Sequence, residues 1–309
     1  MKLGKVMNLN VNDEVGLLKT VILGIANDFG GTPSESECYD PKSLESVQTG
    51  TYPSELSLIS EMEYFCSILE KHDVEVIRPE NIVGLNQIYA RDIAFVIENK
   101  LLVPNIIEDR SRELEAIQPL IATFNHNNVI KMPEKARIEG GDVILKGDTI
   151  FIGYSEDEDF NLYKVARTNI EGVGFVQKTF PNKKVLGFEL KKSDTDPRNS
   201  ALHLDCCFQP IGKKGAIICE NGFKNKNDFE LLAGMFEKDQ IILIDANDMY
   251  NMNSNIFSIS ERIIVSQPEF VNLNKQLRNK GYSVEEVPFG QVSKMGGLFR
   301  CSTMPLIRE

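Results

Sequence analysis

Histidine is scarce in this chain of 309 residues, occurring at His72, His126 and His203. Any chemistry that needs an imidazole has that short list to draw on. Six cysteines (Cys38, Cys66, Cys206, Cys207, Cys219 and Cys301) form no CxxC pair. Neither they nor the histidines stand at metal-ligand spacing, which argues against a structural metal, and in a chain expected in the cytoplasm they read as free thiols. No apolar run approaches the roughly 18 residues that a membrane span needs. The opening MKLGKVMNLNVNDEVG has no long apolar core, so it is not expected to act as a secretory signal. Positive charge is in deficit: 34 Lys and Arg stand against 45 Asp and Glu, a net charge of -11. An acidic surface repels phosphate backbones and anionic lipid, so nucleic acid and membrane are poor partners. A small cationic substrate is favoured instead.

What is present is a soluble globular composition, 42% apolar and 26% charged, in a chain long enough to bury a proper core. Apolar periodicity alternates between 2 and 3.6. LLKTVILGI (17–25) reads as a strand, 54–73 as a helix, VEVI (74–77) as a strand and 93–105 as a hairpin turning at Glu98-Asn99-Lys100. The order then returns. Helix 109–124, strand 128–132 and hairpin 141–153 follow. So do a helix within about 160–178 and hairpin 204–220, then helix 227–237, strand 240–245 and hairpin 255–266. Helix 268–280, strand 282–288 and the closing GGLFRCSTMPL complete the series, the last pairing beside the first strand. A hairpin–helix–strand unit recurs about five times at a spacing of roughly 50–70 residues. This predicts a closed, radially repeated α/β architecture in one domain, 1–309, with no linker. Exposed repeat edges in such a fold are compatible with a homodimer. The polar, Gly/Ser/Pro-rich stretch 28–53 is either a disordered connection or a functional lid.

Four short stretches fall where hairpins begin or end: YARD (89–92), IEGGD (138–142), LHLD (202–205) and FRCST (299–303). In a closed repeat fold such ends converge, which would gather Asp92, Glu139, His203, Asp205 and Cys301. Each alone has an ordinary reading. Cys301 is by type a small buried hydrophobe, and Glu139 sits in a tight turn. Arg91-Asp92 could be a surface ion pair of little energetic weight. His203 opens a strand in which Asp205, two residues on, shares its face. Together they suit thiolate attack on an electron-poor carbon carried by a cation. Two carboxylates grip a planar guanidinium through charge-assisted hydrogen bonds, the thiolate attacks its central carbon, and a histidine moves protons to and from the departing amine and water.

At these motifs the sequence resembles the guanidine-modifying (pentein) superfamily of arginine and agmatine deiminases, dimethylarginine dimethylaminohydrolases and amidinotransferases. Arg91-Asp92 is similar to the family's RD, Glu139 to Asp142 to its EGGD, His203 to Asp205 to its HLD, and Arg300-Cys301 with Thr303 to its RC-x-T ending. VNDEVGLLKTVILG (11–24) resembles the family's opening strand. The resemblance implies a five-bladed α/β propeller of ββαβ units and a cofactor-free reaction. It assigns Cys301 as nucleophile, His203 as general acid/base, Glu139 as the residue that orients the histidine and touches the guanidinium, and Asp92 and Asp205 as guanidinium ligands. ARTN (166–169) and DRSRE (109–113) resemble family stretches that bind a substrate carboxylate, through Arg167 and through Arg110 or Arg112. The helical insert of free-arginine deiminases is lacking. An acid at Asp205 favours an unmethylated guanidinium. Arg300 and Ser302 stand where amidinotransferases carry a histidine and an aromatic residue, which favours hydrolysis. The leading expectation is a cysteine-dependent hydrolase of arginine or a related guanidino or ureido amino acid. The alternative is an amidinotransferase, and a catalytically idle binding protein of the same fold is a third reading. Nothing specifies the peptide groove of a cysteine protease.

Overall fold

The computed structural model describes residues 7–309. Residues 1–6, the first part of the opening read above as lacking a signal, lie outside the described residues.

The apolar runs become strands arranged in five three-stranded sheets among the described residues. The first holds β1 (Leu18–Leu23) and, parallel to it, β2 (Glu75–Ile77). The second is β3 (Phe95–Ile97), β4 (Lys100–Val103) and β5 (Val129–Lys131). The third is β6 (Val143–Lys146), β7 (Thr149–Tyr154) and β8 (Lys184–Glu189). The fourth is β9 (Phe208–Ile211), β10 (Gly215–Ile218) and β11 (Ile241–Leu243). The fifth is β12 (Phe257–Ser258), β13 (Ile263–Ser266) and β14 (Ser283–Glu286). The last strand, β15 (Thr303–Arg308), completes the first sheet by pairing antiparallel with β1. Each sheet repeats one pattern, an antiparallel pair followed by a parallel strand on its middle member. A parallel neighbour requires a crossover, and helices supply it.

The helix Glu55–Lys71 illustrates the local logic. Ser54 caps it by accepting from the Ser57 amide. Leu58, Met62, Phe65 and Leu69, spaced three or four apart, form its buried stripe. Phe65 meets Phe257, Phe289 and Phe299 edge-on, with ring centroids 6.2, 5.5 and 5.2 Å away. Phe299 immediately precedes Arg300-Cys301, so this aromatic cluster pins the turn that carries the thiol. Among the described residues no helix is long and apolar enough to cross a membrane.

Several expectations change. The helix read over 109–124 is a 3₁₀ segment, Glu108–Ile117, followed by the short α-helix Gln118–Ile121. Pro119 cannot donate the backbone bond a continuous α-helix needs, so it starts a new one. The helix within 160–178 is two, Asp157–Leu162 and Ile170–Thr179, with Asn169 capping the second. Stretch 28–53 contains the helix Pro41–Gln48, started by Asp40 as N-cap and Pro41 in the first turn. His203 does not open a strand. It directly precedes the 3₁₀ turn Leu204–Cys206, its carbonyl accepting from the Cys206 amide at 3.1 Å, so His203 and Asp205 do not share a face and their side chains reach different partners.

Candidate active site

The ends that precede the hairpins are tight turns or short helices: Ala90–Ile93, Gly140–Asp142, Leu204–Cys206 and the turn over 299–302. They pack directly on one another. A β-carbon at Gly141 would lie 2.6 Å from His203 Nδ1 and 2.9 Å from Asp92 Oδ1, so the second glycine of EGGD is the space the histidine occupies. Asp142 pins the neighbouring turns, accepting from the Leu204 amide at 2.9 Å and the Thr168 hydroxyl at 2.6 Å.

Cys301 lies in the turn before β15, held by Ser302 N–H to the Leu298 carbonyl at 3.1 Å and Thr303 Oγ1 to the Phe299 carbonyl at 3.1 Å. Its sulfur lies 3.7 Å from Asp205 Oδ2. Asn255 Nδ2 lies 3.1 Å from the same sulfur. His203 bonds through Nε2 to Glu139 Oε2 at 2.9 Å, and its Nδ1 lies 3.8 Å from Asp92 Oδ1. Glu139 is gripped by Arg167 Nη1 at 2.9 and 3.1 Å. Asp92 accepts from Arg110 Nη1 at 2.8 Å and from the Gly141 amide at 3.0 Å. Asp205 accepts from Arg300 Nη1 at 2.9 Å, and Arg300 in turn pairs with Glu14 at 3.0 Å. Every one of these groups is buried; Cys301 keeps 4% of its surface and His203 1%.

Burial of this much charge sets the proton positions. Burial first, then the negative charges of Asp205 and Asp92, push the Cys301 thiol well above its usual value. Burial opposes a charge on His203, but Asp92, the bond to Glu139 and the nearby Asp142 outweigh it and raise its pKa. Burial likewise opposes a charge on Glu139, yet Arg167, His203 and Arg110 together hold its carboxyl well below the usual range. The resting arrangement is a neutral thiol beside carboxylates, with an imidazole inclined to carry a proton. Asp92, Glu139 and His203 offer three donor atoms within 4.8 Å of one another, but Arg110 and Arg167 already neutralise the two carboxylates. That donor set fits an ion-paired network better than a divalent cation.

Of the residues anticipated from sequence, Cys301, His203, Asp92, Arg110 and Arg167 line one cavity, with Glu139 and Asp205 directly behind them. Arg112 is elsewhere. Its guanidinium is exposed and meets Glu115 at 3.3 Å. Arg110 and Arg167 are committed to carboxylates of the site, and Arg167 Nη2 also donates to the Tyr39 carbonyl at 2.6 Å. Tyr39 and Asp40 belong to the 28–53 stretch, which therefore roofs the cavity; the Tyr39 ring lies 5.8 Å from each of the two guanidinium carbons. The space at its centre is about 10 Å³, room for about one water. A larger cleft of about 340 Å³ is lined in part by Lys42 and Tyr250, and a small cavity shares those two residues with it and Asp40, Leu202 and Gly296 with the site.

Sequence reading missed Asn255, Glu14 and Tyr39. Glu14 lies in the acidic turn ahead of β1, which carried a positional hint. Asn255 and Tyr39 carry none, because a loop amide or loop tyrosine has no spacing signature.

Comparison with known proteins adds to this geometry. A family model described as N,N dimethylarginine dimethylhydrolase, eukaryotic, matches residues 52–308. A protein of Bacillus subtilis (strain 168) named Uncharacterized protein YkgA is 30% identical over 243 residues, covering 78% of this chain and 77% of that protein. Arginine deiminase of Listeria monocytogenes serotype 4b is 24% identical over 262 residues, and the match spans 72% of this chain but only 62% of the deiminase. Among solved structures, SxtG, an amidinotransferase of the saxitoxin biosynthetic pathway from Microseira wollei, superposes with a TM-score of 0.77 at 17% identity over 97% of each chain. At that identity the likeness concerns the fold.

Proposed function

This chain belongs to the guanidino-modifying superfamily, and from that premise we propose that it is a cysteine-dependent hydrolase of arginine or a related guanidino or ureido amino acid. The family makes it a C–N hydrolase or an amidinotransferase; hydrolysis of a free guanidinium is the finer reading. We read its five sheets as the blades of one α/β propeller in a single domain, with the site where the blade ends meet.

The observation that carries the proposal is the Cys301 sulfur facing Asp205 and lining one cavity with Asp92 and His203. The chemistry follows from charge. A guanidinium entering between Asp92 and Asp205 replaces the field of two carboxylates with that of a cation, which favours loss of the Cys301 proton to solvent. The thiolate attacks the central carbon, forming a C–S bond and a neutral tetrahedral adduct. Protonated His203, held by Glu139, gives its proton to one nitrogen, the C–N bond breaks and ammonia leaves. The remaining S-alkylthiouronium is cationic. Neutral His203 takes a proton from water, hydroxide adds to the carbon, and collapse expels the thiolate, which is reprotonated. The sum is guanidinium plus water giving a ureido product and ammonium. No cofactor takes part. Asp205 and Asp92 would accept the N–H groups of an unmethylated guanidinium, whereas N-methyl groups would leave these lone pairs unpaired. Tyr39 and Asp40 would act as a lid, since about 10 Å³ cannot hold a guanidino group.

The test is incubation of purified protein with L-arginine alone, with citrulline, ornithine and ammonia read by mass spectrometry. Citrulline with ammonia is expected, and ornithine with excess ammonia would mean the ureido product is hydrolysed further. Cys301→Ala should abolish either while retaining the fold; an active Cys301→Ala protein would sink the scheme. The fold shared with SxtG supports the second reading. Ornithine formed only when an acceptor amine is added would move the assignment to amidino transfer.

A further inference from the structure

Asn255 has no part in the motifs or in the steps just described. It lies two residues before β12, with 1% of its surface exposed. Its Oδ1 accepts from two backbone N–H groups, those of Arg300 at 3.1 Å and Cys301 at 3.3 Å. Its Nδ2 lies 3.1 Å from Cys301 Sγ. The two backbone donors decide which way the amide faces. A flipped side chain would set its NH₂ against two N–H groups and leave the sulfur facing a carbonyl. An Nδ2 hydrogen therefore points at the sulfur, which acts as acceptor, and the thiol's own hydrogen is left for Asp205 Oδ2 at 3.7 Å. The short run that carries Asn255 is held on its N-terminal side. Ser254 Oγ donates to the Asp205 carbonyl at 2.9 Å, and Asn253 Nδ2 donates to Asp248 at 2.9 Å.

A neutral thiol is a weak acceptor, whereas a thiolate is an anion that accepts strongly. The Asn255 contact therefore strengthens as the proton leaves, which is the property of a group that favours the reactive form. We infer that Asn255 is a catalytic hydrogen-bond donor that stabilises the Cys301 thiolate, as attacking group and again as leaving group. The inference rests on the reading of Cys301 as nucleophile. Asn255 keeps both amide hydrogens throughout, and no bond to it forms or breaks. The other charged or titratable groups around the sulfur are Asp92, Asp205 and Cys206, which disfavour the thiolate, and His203, Arg110, Arg167, Tyr39, Asp40 and Tyr89 of the same cavity.

Asn255→Asp removes the donor and adds a negative charge, both of which oppose the thiolate, and the signals of Asn255 itself, followed below in the unmutated protein, separate the donor from the charge. Aspartate has nearly the same shape and still accepts from the two backbone amides, but it turns an oxygen toward the sulfur. The measurement is the rate of Cys301 alkylation by iodoacetamide across the neutral and alkaline range, read on the Cys301 peptide by mass spectrometry. Asn255→Asp should keep a native circular-dichroism spectrum yet lower that rate by about 10- to 100-fold at a given pH, the range a hydrogen bond to a charged group supplies. Its pH profile should move upward. A natively folded Asn255→Asp protein with an unchanged profile would overturn the inference. A second measurement needs no Asn255 variant. In the unmutated protein the Asn255 side-chain amide signals in NMR should shift along the same pH profile as the alkylation, and that shift should vanish in Cys301→Ala. Signals that ignore the profile would overturn it equally. Neither readout uses turnover, so a protein that leaves arginine untouched would count against the proposed function and not against the role of Asn255.

Discussion

Arg300 holds a full charge where no water reaches, and its partners are Glu14 on one side and Asp205 on the other. Burial opposes ionisation of Glu14, but Arg300 and Arg91 bring its pKa from 4.5 down to about 2. A depressed carboxylate contributes stability above its unfolded value and loses it as pH falls through the folded one. The contribution of Glu14 should thus be complete above pH 4.5 and disappear toward pH 2. Glu14→Gln should cost about 3–5 kcal/mol in denaturant unfolding at neutral pH, the range for breaking a buried ion pair, and should flatten that acid limb. An unchanged unfolding midpoint would mean that Asp205 alone satisfies the guanidinium. At this scale the reactive types were legible, because a cysteine, a histidine and three acids beside glycine-rich turns form an unusual set. Their supports were not. Arg110 and Arg112 look alike in DRSRE, yet a 3₁₀ segment turns one onto Asp92 and leaves the other beside Glu115 in solvent. Two residues along a three-residue turn lie on different faces.

Elements were legible where a strong apolar period ran without interruption, as in the helix Glu55–Lys71 and in β1. They were misread where backbone chemistry overrode the pattern, at Pro119 and at the capping Asn169. The roof over the site is an element of the second kind. A polar composition suggested a loop, but the Asp40 carboxylate accepts from the Lys42 and Ser43 amides and starts a helix. Gly296 serves this packing. Its φ of 90° is left-handed, and a β-carbon there would collide with the Asp40 carboxylate. Gly296→Ala should cost about 1–3 kcal/mol, the range for a side chain forced into such backbone geometry. It should also dislodge Asp40 and raise KM more than it lowers kcat. A variant with native melting temperature and native KM would show that the roof does not depend on that close approach.

On the scale of the molecule, the repeat of hairpin, helix and strand was visible although the copies share little sequence, because period survives where identity does not. How the turns nest was not visible, since the contacts that join Asp92 to Gly141 and Arg300 to Glu14 link residues far apart in the chain. That nesting has a kinetic consequence. β1 and β15 pair from opposite ends of the sequence, so their contact carries a large closure entropy and is expected late in folding. Cys301 lies just ahead of β15 and borrows Asp92, Asn255 and Asp205 from separate sheets or the turns beside them. During refolding from denaturant, pulse labelling should find Cys301 freely reactive, like any unfolded thiol, until the slowest phase. It should then fall to the low reactivity of the enclosed site as β15 docks. A chain caught before that moment has four of its five sheets but carries an ordinary cysteine.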